Sequence, residues 1–498
     1  MKKLKKVEED YKRLIRKYAT CDLVEYFSKK SIESYMSDKK GVTFVDVPYY
    51  EKRSGAMGVF KDFMYGQWEL IEICYHSIMY SNDYRTGNAI DDNAFYHIVN
   101  TNKRYSEEKE KLNLMQESLF VLLQCMSNVQ FDFQHITVNT RFNRMYHILT
   151  EINLNSKFKQ DKSICYINFQ EQFKVITGIE YKKFIKISLF LIMISCTRKN
   201  TNIYDIIDDL RFDTMKLAFT KEDIEKVIIL LSRDYEFYKS CSNWNILRCY
   251  PIVKTSGNAP KYLISNIYSL LMSLPDIAYW IIRNYYKDSS SNDFVIYFGK
   301  CFEFYVQELL DYYKIKYEYI TEVKDKKTPD WKIETERFIF LIEQKSALFP
   351  LEAKTVNEDQ SVEKMEQYIE RNIIKAFKQL DGFELETEKT VIRICLTFEK
   401  IYMEENLKRI IEPKMNYKTD KSLMWIVNID EFEILMQILN VDEVKFNRII
   451  QEKIYLEKTE SKDGRNFEKL LRGQKYIYAG KMLKHFDDIV DKFLKALK

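Results

Sequence analysis

Apolar residues recur with helical spacing through most of the first 288 positions. Trp68, Ile71, Ile73, Cys74, Ile78 and Met79 form one such series, and Leu112, Leu114, Met115, Leu119, Leu122 and Leu123 another. Ile224, Val227, Ile228 and Leu231 keep the i, i+3, i+4, i+7 spacing of one helix face, and Thr220, Asp223 and Glu225 mark its start. The greasiest run, 187–196, is about half a membrane span and predicts a buried core helix. Residues 245–261 hold Pro251, Gly257 and Pro260 and read as an irregular connection. Residues 263–286 read as an apolar helix pair interrupted at Pro275.

The pattern changes after the short polar segment 287–293, Lys-Asp-Ser-Ser-Ser-Asn-Asp, which predicts a domain boundary. Residues 299–313 predict an amphipathic helix with Phe302, Tyr305, Val306, Leu309, Leu310 and Tyr313 on one face. Strands are predicted at 317–323, 330–333 and 338–345, a second amphipathic helix at 361–380, and further strands at 391–398 and 423–429. Charged helices follow from 442 to 498. The expected fold class is mixed α+β. A mostly helical region (1–290), carrying no catalytic cluster of its own and expected to act in recognition or regulation, precedes an α/β domain (291–430). A helical extension (431–498) packs on that domain.

Composition narrows the picture. Twelve Gly and seven Pro in 498 residues are too few for the tight turns of an all-β sandwich or barrel. Lys and Arg (78) nearly cancel Asp and Glu (74), which excludes a uniformly basic binder but leaves room for a local basic groove. The nine cysteines include no Cys-x-x-Cys pair, which fits reduced thiols rather than a disulfide framework or zinc knuckle. The basic start runs straight into Glu8, Glu9 and Asp10 where a signal peptide needs apolar residues. The expectation is a cytoplasmic protein with no membrane partner. The five histidines, His76, His97, His135, His147 and His485, show no metal-ligand spacing, and no phosphate-cradling Gly-rich Lys-Ser/Thr loop occurs.

The candidate chemistry lies in Thr328-Pro329-Asp330-Trp331 followed by Phe338-Ile339-Phe340-Leu341-Ile342-Glu343-Gln344-Lys345. Alternation along a strand puts Glu343 and Lys345 on one face. With Thr335-Glu336 as the hairpin tip, Asp330 falls opposite Leu341, diagonal to Glu343 at roughly 7–8 Å. Two carboxylates so placed can share one hard divalent cation, with the lysine beside it to orient water or neutralise a phosphate. Glu-x-Lys alone is uninformative in so charged a chain, and Glu352/Lys354 is a rival placement. The apolar context singles out Glu343: a strand greasy on both faces that ends in charges needs a reason for them.

These residues resemble the PD-(D/E)XK nuclease superfamily, whose core runs helix, three strands, helix, strand. The resemblance covers about a quarter of the chain. It maps Asp330 and Glu343 onto the two acids and Lys345 onto the lysine. It implies catalytic roles for Glu303 on the first helix and Gln379 on the second, with Asp330, Glu343 and Glu303 as metal ligands. The implied activity is Mg²⁺- or Mn²⁺-dependent phosphodiester hydrolysis on nucleic acid, DNA favoured over RNA, by a prokaryotic defence or restriction-type effector. Lys324, Lys326, Lys327, Lys375 and Lys378 are the expected backbone-phosphate contacts. A homo-oligomer or an activating protein partner is the further company such an effector keeps. The alternative is a catalytically inactive protein that keeps the fold for nucleic-acid or protein binding.

Overall fold

The structure, a computed structural model, describes residues 2–37, 42–50, 57–85, 87–113, 120–121, 123–127, 138–155, 165–198, 202–204, 219–257, 259–288, 291–320, 328–350, 361–459 and 467–471. The first part is chiefly helical, as its periodicity predicts. Thr220 caps the Lys221–Leu231 helix, its hydroxyl accepting from the Asp223 amide (3.2 Å) while Asp223 reaches back to the Thr220 amide (2.9 Å). The greasy run lies in the Tyr181–Arg198 helix, where Phe184, Ile187, Phe190 and Leu191 are buried. Among the described residues no helix is long and apolar enough to cross a membrane.

Three departures mark this part. Strands β1 (Val42–Tyr50) and β2 (Met57–Gly66) form an antiparallel hairpin inside the region expected to be helical. The expected irregular connection contributes β4 (Ile252–Lys254) to a small sheet, between parallel β3 (Ser232–Asp234) and antiparallel β5 (Tyr262–Ile264). The expected helix pair is one helix, Ile267–Asp288, with Pro275 inside it. Proline removes one helical hydrogen bond there. Leu271, Leu274, Ile277 and Ala278 around it are buried.

The C-terminal part runs helix, three strands, helix, strand, helix, strand; the elements read from the sequence occur in their expected order, and the helix before the last strand is an addition to them. The helix Asp293–Tyr312 starts six residues earlier than expected. It leads to β6 (Tyr317–Tyr319), β7 (Trp331–Glu334) and β8 (Phe338–Lys345). A continuous helical run follows, Ser361–Tyr368, a wide turn Ile369–Ile374 and Lys375–Asp381. Then come β9 (Thr390–Thr397), a helix Glu404–Ile411 and β10 (Met424–Asn428). The five strands form one sheet in the order β10-β9-β8-β7-β6. β6, β7 and β8 pair antiparallel, while β8, β9 and β10 pair parallel. Helices Ile429–Val441, Glu443–Lys458 and Phe467–Leu471 complete the described chain.

Both faces of β8 are covered, as its unbroken apolar run predicts. Phe338, Phe340 and Ile342 join the main core, with the Asp293–Tyr312 helix and Phe446. Ile339 and Leu341 pack under Ile373, Phe377 and Leu380 of the 361–381 run. Alternation therefore puts Glu343 and Lys345 on the face beneath that run. The main core draws on described residues from both sides of the 287–293 segment, from Val7 to Leu471. Polar ties reinforce it. Arg144 reaches Glu433 (2.9 Å) and Asp430 (2.5 Å), Asn153 bonds the Tyr297 hydroxyl (3.1 Å), and His147 bonds Glu308 (2.8 Å).

Candidate active site

The hairpin that carries the acids turns one residue later than expected. Thr335 pairs with Phe338: its amide donates to the Phe338 carbonyl (2.9 Å), and its hydroxyl accepts from the Phe338 amide (3.0 Å). Glu336 and Arg337 form the tip. The register becomes Trp331↔Ile342 and Lys332↔Leu341, so one further step sets Asp330 opposite Glu343 rather than Leu341. A slip of two keeps every side chain on its predicted face. It also shortens the separation, since directly opposed residues have Cβ atoms about 4.5–5.5 Å apart.

Asp330 is fixed at the mouth of the hairpin. Its amide donates to the Ile342 carbonyl (2.8 Å), and its carboxylate oxygen Oδ2 accepts from the Gln344 amide (2.8 Å). The Gln344 side chain accepts from Trp331 Nε1 (3.1 Å), which holds the two strands in register at this end. Burial pushes Asp330 up to about 6, and Glu303 adds to the rise, while the Gln344 amide, Lys345 and Lys300 pull the other way.

Glu343 is buried, with 4% of its surface exposed, and both carboxylate oxygens are engaged. Lys345 donates to Oε1 (2.5 Å), and the Gln379 side-chain amide donates to Oε2 (2.7 Å). Gln379 also donates to the Thr328 carbonyl (2.5 Å), so one amide ties the second helix to both ends of the hairpin. Burial alone would lower Lys345, but Glu343 beside it more than offsets that and the ammonium is raised. Lys345 is held as a cation.

Glu303 projects from the first helix toward the same end of the sheet, within electrostatic reach of Asp330. Its carboxylate is paired with Lys300 (2.9 Å), and Tyr319 of β6 lies against the pair. Gly299 brings this helix close to the end of β8: a Cβ added there would sit 3.5 Å from the Ser346 hydroxyl. Nothing in the sequence singles out Tyr319, whereas the three-residue spacing of Lys300 and Glu303 is a usable signal for that pair.

Lys375 and Lys378 are exposed, one turn apart on the helix that carries Gln379. Lys324, Lys326 and Lys327, and the rival pair Glu352/Lys354, lie outside the described residues. The structure thus gathers Asp330, Glu343, Lys345 and Gln379 at one end of β7 and β8, with Glu303 at the rim. Among the described residues no three His, Cys, Asp or Glu side chains are close enough together to hold a metal ion. The opposed pair Asp330 and Glu343 remains a two-oxygen-ligand arrangement, which suits a hard ion that keeps several waters. Asp330, a half-buried carboxyl raised by burial and by the nearby Glu303, is the kind of group a cation would relieve. No family model, no curated protein and no solved structure matches the chain.

Proposed function

We propose that the chain is a Mg²⁺- or Mn²⁺-dependent nuclease of the PD-(D/E)XK type, acting on DNA in preference to RNA. The observation that carries this reading is the convergence of Asp330, Glu343, Lys345 and Gln379 from two strands and a helix. The element order and the antiparallel-antiparallel-parallel pairing of β6 to β9 support the restriction-endonuclease-like fold.

Asp330 and Glu343 would hold the ion. A bound divalent ion polarises a phosphate oxygen and lowers the pKa of a coordinated water. Lys345, a retained cation on the same face, donates a hydrogen bond to the attacking water or to a non-bridging phosphate oxygen as charge builds there. Its ammonium has three N–H donors, so one can stay on Glu343 while another serves the reacting group. Gln379 keeps the Glu343 carboxylate aimed. Lys375 and Lys378 supply phosphate contacts on the helix above. The large helical region packed on this domain would govern substrate access or assembly.

The test is incubation of the full chain with plasmid, linear DNA and RNA, with Mg²⁺ or Mn²⁺ and with excess EDTA. Metal-dependent cleavage that prefers DNA is the expected result. Binding without cleavage under every condition would favour the inactive, fold-retaining alternative, and full activity in EDTA would exclude the metal.

A further inference from the structure

A cavity of about 370 Å³ lies between the helical region and the far ends of β8 and β9. One stripe of the Ile267–Asp288 helix forms a wall, from Ser273 and Asp276 through Trp280 to Asn284. Arg233, Arg248 and Tyr250 face it. Leu348, Phe349 and Glu399, from the segments just after β8 and β9, close it. Asn284 and Tyr285 are exposed and mark the mouth, while Arg248 (6%), Phe349 (3%) and Glu399 (4%) are buried and mark the depth.

The size falls in the range of small-molecule sites, about 300–1,000 Å³. Its chemistry is specific. Trp280 and Tyr250 are flat, and the Arg233 guanidinium lies over one face of the Tyr250 ring, 3.9 Å from its centre. Leu230, Ile277 and Ile281 add apolar contact. Groups of both hydrogen-bonding senses line it: the Arg248 guanidinium is a donor, and the Asp276 and Glu399 carboxylates, which accept from Arg141 and, for Glu399, from the Phe349 amide as well, have further lone pairs. Those two acids share Arg141, which grips Asp276 through two nitrogens and lies 3.3 Å from Glu399. Arg233 and Arg248 of the lining and Arg141 behind it stand against Asp276, Glu399 and Asp288, with the Arg283 guanidinium over the Trp280 ring at 4.9 Å from its centre, so neither sign dominates.

A balanced site disfavours a multiply charged ligand. Phosphate groups would enter beside three carboxylates, and an amine beside three guanidiniums. Flat aromatic walls with donors and acceptors together suit an uncharged heteroaromatic ring whose edge carries both senses of hydrogen bond. We propose that this cavity is a binding site for an uncharged planar heteroaromatic of purine-nucleoside size. Its inner end meets the helical run 361–381. Phe349 stacks on Tyr368 at 4.0 Å between centroids, and Tyr368 lies in the helical run that carries Gln379.

This site does not depend on the nuclease reading, and its test does not use cleavage. The full chain is titrated by calorimetry with adenosine, guanosine, ATP and GTP, and its thermal unfolding is followed with each. Expected are saturable binding of at least one nucleoside at one site per chain, a rise in unfolding temperature, and weaker binding of its triphosphate by about ten-fold or more. Trp280→Leu, which removes a stacking wall, and Asn284→Trp, which obstructs the exposed mouth, should each weaken nucleoside binding by about ten-fold. Failure of both nucleosides to bind would overturn the proposal. So would a triphosphate that binds as tightly as its nucleoside, or binding that both folded variants leave unchanged.

Discussion

Gln379 donates its side-chain amide to Glu343 at 2.7 Å, joining the second helix of the α/β domain to the strand that bears the buried acid. The same nitrogen reaches the Thr328 carbonyl, so the helix also grips the approach to Asp330. Removing it should loosen the acid pair without emptying the core, since Gln379 is only partly buried. Gln379→Ala is expected to lower cation affinity or turnover by about 10–100-fold, as loss of a partner that orients a ligand does. Calorimetric titration with Mn²⁺ and single-turnover cleavage would check it. Unchanged values for both would reduce Gln379 to a packing contact.

The raised pKa of Asp330 sets two pH dependences. Its ordinary value is 3.8, and in the fold it is pushed up to about 6 by burial. The folded state therefore favours the protonated form. That stabilising contribution is present below about 3.8 and is lost as pH rises through about 6. Without divalent ions, Asp330→Asn should match the parent near pH 4 and become the more stable of the two by pH 7, as read by urea unfolding. Cation affinity should run the other way, rising with pH up to a plateau above about 6 because the proton competes for the same oxygen. A pH-independent Mn²⁺ affinity between 5 and 7 would remove Asp330 from the ligand set.

Much of this site was legible because strand parity survives a misplaced turn. Nothing in Glu334-Thr335-Glu336-Arg337 is a glycine, asparagine or proline, so the sequence offers no strong turn signal. The Thr335 hydroxyl bond to the Phe338 amide decides the turn instead. The resulting slip of two brought Asp330 directly across from Glu343 without changing its face. The β1–β2 hairpin and the three-residue strands β3 to β5 were hidden for different reasons. The hairpin sits among long helices that set the local expectation, and a three-residue strand is too short to show a period. The helix before β6 begins early, at Asp293, whose amide donates to the Ser291 hydroxyl (3.1 Å), while Asn292 at the N-cap position makes no side-chain cap, so the polar run carries no clear start signal.

The helical region and the α/β domain are locked by a buried ion cluster. Arg144 has 2% side-chain exposure and bonds Glu433 and Asp430, while the Tyr305 hydroxyl donates to Glu433 (2.5 Å). Burial raises Glu433, and Arg144 opposes that rise. Arg144→Ala would strand a buried carboxylate, at a cost of about 3–5 kcal/mol. Arg144→Ala/Glu433→Leu should recover much of the loss, because both charges leave together. Equilibrium denaturation of the four members of the cycle measures it. A single Arg144→Ala change costing under about 1 kcal/mol would contradict the account.

Exposed Lys375 and Lys378 test the expected groove. Each phosphate contact removed should weaken binding about equally across sequences and reduce the salt slope by about one. The double change to Ala is thus expected to lower the slope of log affinity against log salt by about two, as read by fluorescence anisotropy on a duplex. An unchanged slope would mean that this helix face is merely solvated.

The central claim is that Lys345 and Glu343 form a catalytic pair rather than a structural one, and the 2.5 Å contact between them is common to both readings. Measuring plasmid cleavage and Mn²⁺ binding by Lys345→Ala beside the parent separates them. The lysine stabilises charge but ligates nothing, so the account predicts a fall in cleavage rate of about 10²–10³. Mn²⁺ affinity should be preserved or higher, because Glu343 loses a competitor for its oxygen. Cleavage near the parental rate, or loss of Mn²⁺ binding with no parental cleavage to lose, would contradict it.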